Sequence, residues 1–97
     1  MDKFKFDLGY APENPLFEGV QAEEKDGRWS LESSQRSVDT IKMNARMLAH
    51  NTGAREAIIT GPSAAWVYAA VTAAVANYFN SVEYQDGRGL SLTIAAK

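Results

Sequence analysis

The stretch AIITGPSAAWVYAAV, residues 57–71, constrains the fold more than any other part of the chain. Ala57, Ile58, Ile59 and Thr60 run without polar alternation, the pattern of a short strand buried inside a sheet. Gly61-Pro62-Ser63 then opens a helix, because proline has no N–H to offer and a first-turn position needs none. That helix is expected to carry Val67, Val71, Val75 and Tyr78 on a bulky face. Ala65, Ala69, Ala73 and Ala76 form a smooth face, against which a sheet or a second subunit can approach closely.

The flanking segments fill in the rest. Residues 3–8 alternate strictly, with Phe4, Phe6 and Leu8 on one side, which predicts a half-buried strand. APENP interrupts regular structure. Residues 17–23 and 28–32 flank EKDG, a turn signal that predicts a hairpin with Val20, Trp29 and Leu31 facing the core. Ser33 or Ser34 caps a helix running to about Asn51, along which Val38, Ile41, Ala45 and Leu48 recur at helical spacing; Gly53 ends it. Residues 82–85 and 90–94 read as a closing hairpin. The expected fold is α+β, a single domain over 1–97. One mixed or antiparallel sheet is covered on one face by two helices, in the order β-β-β-α-β-α-β-β.

Composition excludes several functions. Ten Lys and Arg face twelve Asp and Glu, a net charge of -2, so the basic stripe of a duplex-DNA binder is missing. No cysteine is present and His50 is the only histidine, which removes disulfides, thiolate zinc sites and a His-based metal cluster within one chain. The Ala-rich run 64–79 falls short of the ~20 strongly apolar residues that cross a bilayer. A cytoplasmic protein without membrane contact is expected.

Two places can hold chemistry. At Thr60-Gly61-Pro62-Ser63, free N–H groups of a helix's first turn and two hydroxyls would suit an anion; the plain alternative is a helix cap and a tight bend. At YQDGRG, Asp86-Gly87 is a favoured turn pair. Arg88 could pair with a phosphate there, and Asp86 could take a metal ion or a proton. A solvated hairpin tip explains the same residues. His50 at a helix end, and Trp66, Trp29 and Tyr10, are weaker candidates.

The two places occur together, and AIITGPSAAWVYAAV…NSVEYQDGRGLSLTI resembles the carboxy-terminal half of a CRISPR-associated family, the third group of ring nucleases of type III systems. That family has a strand ending in Ser-Gly or Thr-Gly, a Trp five residues after the Gly, and later a strand ending in Tyr-Asp-x-Arg. Thr60-Gly61 and Trp66 keep the first spacing; Tyr84, Asp86 and Arg88 supply the second motif, with Gln85 inserted. The resemblance covers residues 57–94.

It implies a small α+β subunit that forms homodimers or larger homo-oligomers and degrades the second messenger cyclic tetra-adenylate with manganese, switching off antiviral signalling. Asp86 and Arg88 would be the catalytic acid and arginine, with Asp86 also the metal ligand. Thr60, Gly61, Ser63 and Asn77 would contact the ligand. The family's late-helix His is replaced here within Ala76-Asn77-Tyr78, and an amide cannot exchange protons at neutral pH. Two alternatives therefore stand beside the phosphodiesterase: a non-catalytic sensor or sponge for the same nucleotide, and a structural oligomerisation module.

Overall fold

A computed structural model of the chain describes residues 3–96. In chain order the elements are β1 (Lys3–Asp7), a 3₁₀ turn (Pro15–Phe17), β2 (Ala22–Lys25), β3 (Arg28–Leu31), α1 (Gln35–Thr52), β4 (Glu56–Thr60), α2 (Ala65–Val75), β5 (Ser81–Gln85) and β6 (Ser91–Ala96). The fold is α+β, and the element order is the expected one.

Four strands form a mixed sheet in the order β1-β4-β5-β6. β1, β4 and β5 run parallel, and β6 returns antiparallel to β5. Phe6, Ala57, Ile59 and Val82 point from this sheet into one buried cluster with Ile41 and Ala45 of α1 and Val67, Val71 and Val75 of α2. The two helices thus share one face of the sheet. The other face is polar: Lys3 lies 3.3 Å from Glu83 and 3.8 Å from Glu56. The apolar run of β4 is buried on one side only, with Ile58 half-buried in register with Lys5 and Glu83.

β2 and β3 make a separate two-stranded sheet. The reason is compositional. Ala22-Glu23-Glu24-Lys25 has no apolar face to bury, so the hairpin is held by its ends, where Val20 and Leu31 pack against the core. Its turn is as expected, with Asp26 at φ 53° and Gly27 at φ 77°, both left-handed as a two-residue hairpin turn requires. Trp29 does not face the core: it is 45% exposed and rests against Tyr10, ring centroids 5.0 Å apart. Phe17 belongs to the 3₁₀ turn and is buried, not part of the hairpin.

α1 begins where Ser34 accepts a hydrogen bond from the Ser37 N–H and ends at Gly53, φ 70°. Asn44 ties it to the 3₁₀ turn by donating to the carbonyls of Leu16 and Glu18, each at 2.9 Å. α2 starts later than the proline suggested. Its N-cap is Ala64, which makes no side-chain cap bond, and Pro62 lies in the preceding loop against Gly9. Tyr78 leaves the helical stripe because α2 has ended; Phe79 fills the core in its place, and Tyr78 is 45% exposed.

Candidate functional site

Parallel strands deliver their carboxyl ends to one side of the molecule, and the loops that follow converge there. β1 continues into Leu8, Gly9 and Tyr10; β4 into Gly61, Pro62 and Ser63; β5 into Asp86 and the turn to β6. The Leu8 N–H donates to the Thr60 carbonyl at 2.8 Å, and the Thr60 hydroxyl donates to the Gln85 carbonyl at 2.7 Å. The three strand ends are therefore stitched side by side. This brings Thr60, Gly61, Ser63, Asp86 and Arg88 to the same end of the sheet.

Each of them has a local task as well. A Cβ on Gly61 would overlap the Asp7 carboxylate and come within 2.9 Å of the Gly9 nitrogen, at a φ of 104°. Glycine is required there for close approach of the β1 loop. Asp86 shapes its corner: one carboxylate oxygen accepts from the Arg88 N–H at 2.8 Å and the Leu90 N–H at 3.0 Å. The corner is a wider loop in which Gly89, not Gly87, takes the left-handed conformation (φ 99°). The Arg88 side chain stands exposed on this frame.

Ser63 is half-buried beside the start of α2 but does not cap it. The first-turn N–H groups of α2 thus have no side-chain acceptor at the cap, and the positive end of the helix dipole opens on the loop cluster. Two groups missed by sequence reasoning frame this spot. Asp7 accepts from the Gly9 N–H at 2.9 Å, and Tyr68 donates its hydroxyl to the Gly61 carbonyl. Burial, then the neighbouring Tyr84 hydroxyl and the Asp7 charge, raise the Tyr68 pKa above the ordinary tyrosine value. Alternation in β1 already put Asp7 on the solvent side; nothing in the sequence signalled the reach of Tyr68.

A groove of about 440 Å³ adjoins the α2 start, with Tyr10, Trp29, Pro62, Ser63, Ala64 and Trp66 among its walls. It combines aromatic rings with hydroxyls and opens to solvent. Trp66 is half-buried against the core, whereas Trp29 offers nearly half its surface.

Two candidates lie elsewhere. Asn77 follows the last turn of α2, at the amino end of the strands, where the Asn80 N–H meets the Arg55 carbonyl at 2.7 Å. The 11 residues of α2 put about 16 Å between the helix ends, so Asn77 does not join Asp86 and Arg88 within one chain. His50, exposed in the last turn of α1, is at that same far end. Among the described residues no three His, Cys, Asp or Glu side chains gather to hold a metal. Asp86 offers one carboxylate already accepting two N–H bonds, which is not a cage for manganese. Among the described residues no helix is long and apolar enough to cross a membrane. No protein-family model, curated protein or solved structure matches the chain.

Proposed function

We propose that the protein binds a cyclic oligoadenylate, cyclic tetra-adenylate first among them, at the carboxyl end of its sheet and opens it as a ring nuclease-like phosphodiesterase, ending type III CRISPR signalling. One observation carries the reading. An aromatic-walled groove, an uncapped helix start and an exposed arginine corner lie at the same end of the molecule. A nucleotide needs these two kinds of surface: a ring on which a base stacks, and donors for its phosphate. The resemblance of residues 57–94 selects adenylate among nucleotides.

In this reading Trp29 stacks a base, Ser63 and the first N–H groups of α2 hold a phosphate, and Arg88 meets the phosphate to be cleaved. The ligand's own 2′-hydroxyl attacks the adjacent phosphorus in line. The P–O5′ bond breaks, the 2′ proton passes to water, and the 5′ oxygen takes a proton from water. The products are a 2′,3′-cyclic phosphate and a 5′-hydroxyl. Positioning supplies much of the rate and Arg88 stabilises charge on the equatorial oxygens. A tetranucleotide ring carries four negative charges, so a homo-oligomer that presents several copies of Arg88 suits it.

Binding without turnover is the second reading, favoured by the Asp86 geometry. The Asp86 carboxylate is engaged in shaping its own corner, and Asn77 is remote from it. Purified protein incubated with cyclic tetra-adenylate, with and without manganese, separates the two. Linear product that disappears in Arg88→Ala supports cleavage. Saturable binding with no product supports the second reading, and absence of binding by any cyclic oligoadenylate rejects both.

A further inference from the structure

The groove beside the α2 start has two walls that are attached in different ways. Pro62, Ser63, Ala64 and Trp66 belong to the main body, whereas Trp29, Ser30 and Leu31 belong to the separate hairpin. The hairpin buries little of itself. Of its strand residues only Ala22 and Leu31, paired with each other at the base, are half-buried, and the rest are exposed. Among the described residues no hydrogen bond or ion pair joins residues 22–31 to the main sheet or the helices. The Glu32 N–H donates to the Gln21 carbonyl at 3.0 Å, which closes the hairpin on itself. The chain enters it after Gly19, at φ 82°, and leaves through exposed Glu32 and Ser33.

A run of three rings holds the hairpin against the body. Phe17 is buried in the core, the Tyr10 ring centroid lies 5.3 Å from it, and that of Trp29 lies 5.0 Å from Tyr10. Tyr10 is half-buried and follows closely on the end of β1, so its ring belongs to the body. Val20 and Leu31 add apolar contact at the hairpin base. A two-stranded hairpin is marginal by itself in water, and one aromatic pair adds only a modest attraction. We infer that the β2–β3 hairpin is a hinged wall that opens and closes over the groove, and that Tyr10 is the positioning residue that latches it through Trp29.

Opening is local, because it breaks the Tyr10–Trp29 contact and leaves the buried cluster between sheet and helices intact. With the latch engaged, Trp29 stands at the groove together with Ser63 and Trp66; with it released, the groove loses that wall. The use of this motion by a nucleotide rests on the reading above. A base stacks on Trp29 at the groove only while the wall is in place, so a bound ligand holds the hairpin closed and a loose hairpin weakens binding. The latch itself is independent of that reading.

Hydrogen exchange followed by NMR on the free chain tests the hinge. The amides of β2, β3 and Glu32 are expected to exchange through an opening more frequent than the one that releases the β4 amides. In a Trp66→Phe background, where Trp29 is the only tryptophan, Tyr10→Ala should shift its emission to the red and raise its quenching by acrylamide, and Tyr10→Phe should restore both. Should Tyr10→Ala not fold, Trp29→Ala breaks the same contact from the hairpin side. It is expected to speed the hairpin amides roughly 2- to 10-fold, the worth of one ring contact, with the β4 amides unchanged. Hairpin amides that exchange only together with β4 overturn the inference, as does a Trp29 signal or a hairpin exchange rate indifferent to these substitutions. Cyclic tetra-adenylate then separates the hinge from the ligand. Binding that slows the hairpin amides supports closure, and binding that leaves them unchanged overturns closure while the nucleotide site stands. Absence of binding rejects the nucleotide site, and the free-chain exchange still decides the latch.

Discussion

The dipeptide Asp-Gly occurs twice and makes two different turns. At Asp26-Gly27 both residues take positive φ and reverse the chain in two residues. At Asp86-Gly87 the aspartate folds its carboxylate over the loop and collects the N–H groups of Arg88 and Leu90. Asp86→Ala therefore removes two acceptors at once and is expected to cost about 1–2 kcal/mol in denaturant unfolding. Asp86→Asn, which keeps an acceptor oxygen, is expected to recover most of it. Gly61 is stricter. Its φ of 104° and the Asp7 and Gly9 atoms where a Cβ would stand predict that Gly61→Ala destabilises by roughly 2 kcal/mol or more in the same measurement. Sequence reasoning found both positions but not their purposes, because an Asx-type corner and a close backbone approach depend on atoms distant in the chain.

Among the elements, α2 shows what pattern can and cannot convey. Val67, Val71 and Val75 were legible as its buried stripe from spacing alone, and all three are fully buried. Its start was not. Gly-Pro-Ser looked like a helix opening, yet regular helix begins only at Ala65, after Pro62 has passed beside Gly9. The same detour leaves the first turn without a cap and lets Tyr68 reach back to the Gly61 carbonyl. Tyr68→Phe deletes that bond, with an expected loss of about 1 kcal/mol in thermal or denaturant unfolding. The raised Tyr68 pKa adds a pH signature. Stability from the protonated hydroxyl is complete below the unfolded tyrosine value of about 10 and is lost as pH climbs toward the higher folded value, so the phenylalanine variant should be less alkali-sensitive there. The hairpin β2–β3 was equally legible as a hairpin, but its independence from the main sheet was not, since strand pairing is decided by which faces can be buried.

For the molecule as a whole, the polar side of the sheet is held by charges that titrate. Glu83 accepts from the Ser91 hydroxyl at 2.9 Å and from Lys3 at 3.3 Å, and these bonds hold its pKa below the usual carboxylate value. A depressed folded pKa contributes stability above the unfolded value of about 4.3, and that contribution fades as pH falls toward the lower folded value. Melting temperature followed from pH 6 downward should drop less steeply in Glu83→Gln than in the unaltered chain through this acid window. The α+β architecture that carries these features was written in local periodicities. The gathering of Thr60, Gly61, Ser63, Asp86 and Arg88 at one sheet end follows from parallel strand directions, which no single segment of sequence encodes. The separation of Asn77 from them follows from the same directions.

The most direct measurement is calorimetric titration of cyclic tetra-adenylate into the unaltered chain, Trp29→Ala and Arg88→Ala, each checked for folding by circular dichroism. Saturable binding is expected for the unaltered chain. Loss of a stacked base should weaken it by roughly 5- to 100-fold in Trp29→Ala, and loss of the cation should weaken it at least comparably in Arg88→Ala. Heat that does not saturate with the unaltered chain, or affinity unchanged by both substitutions, would contradict a nucleotide site at the carboxyl end of this sheet.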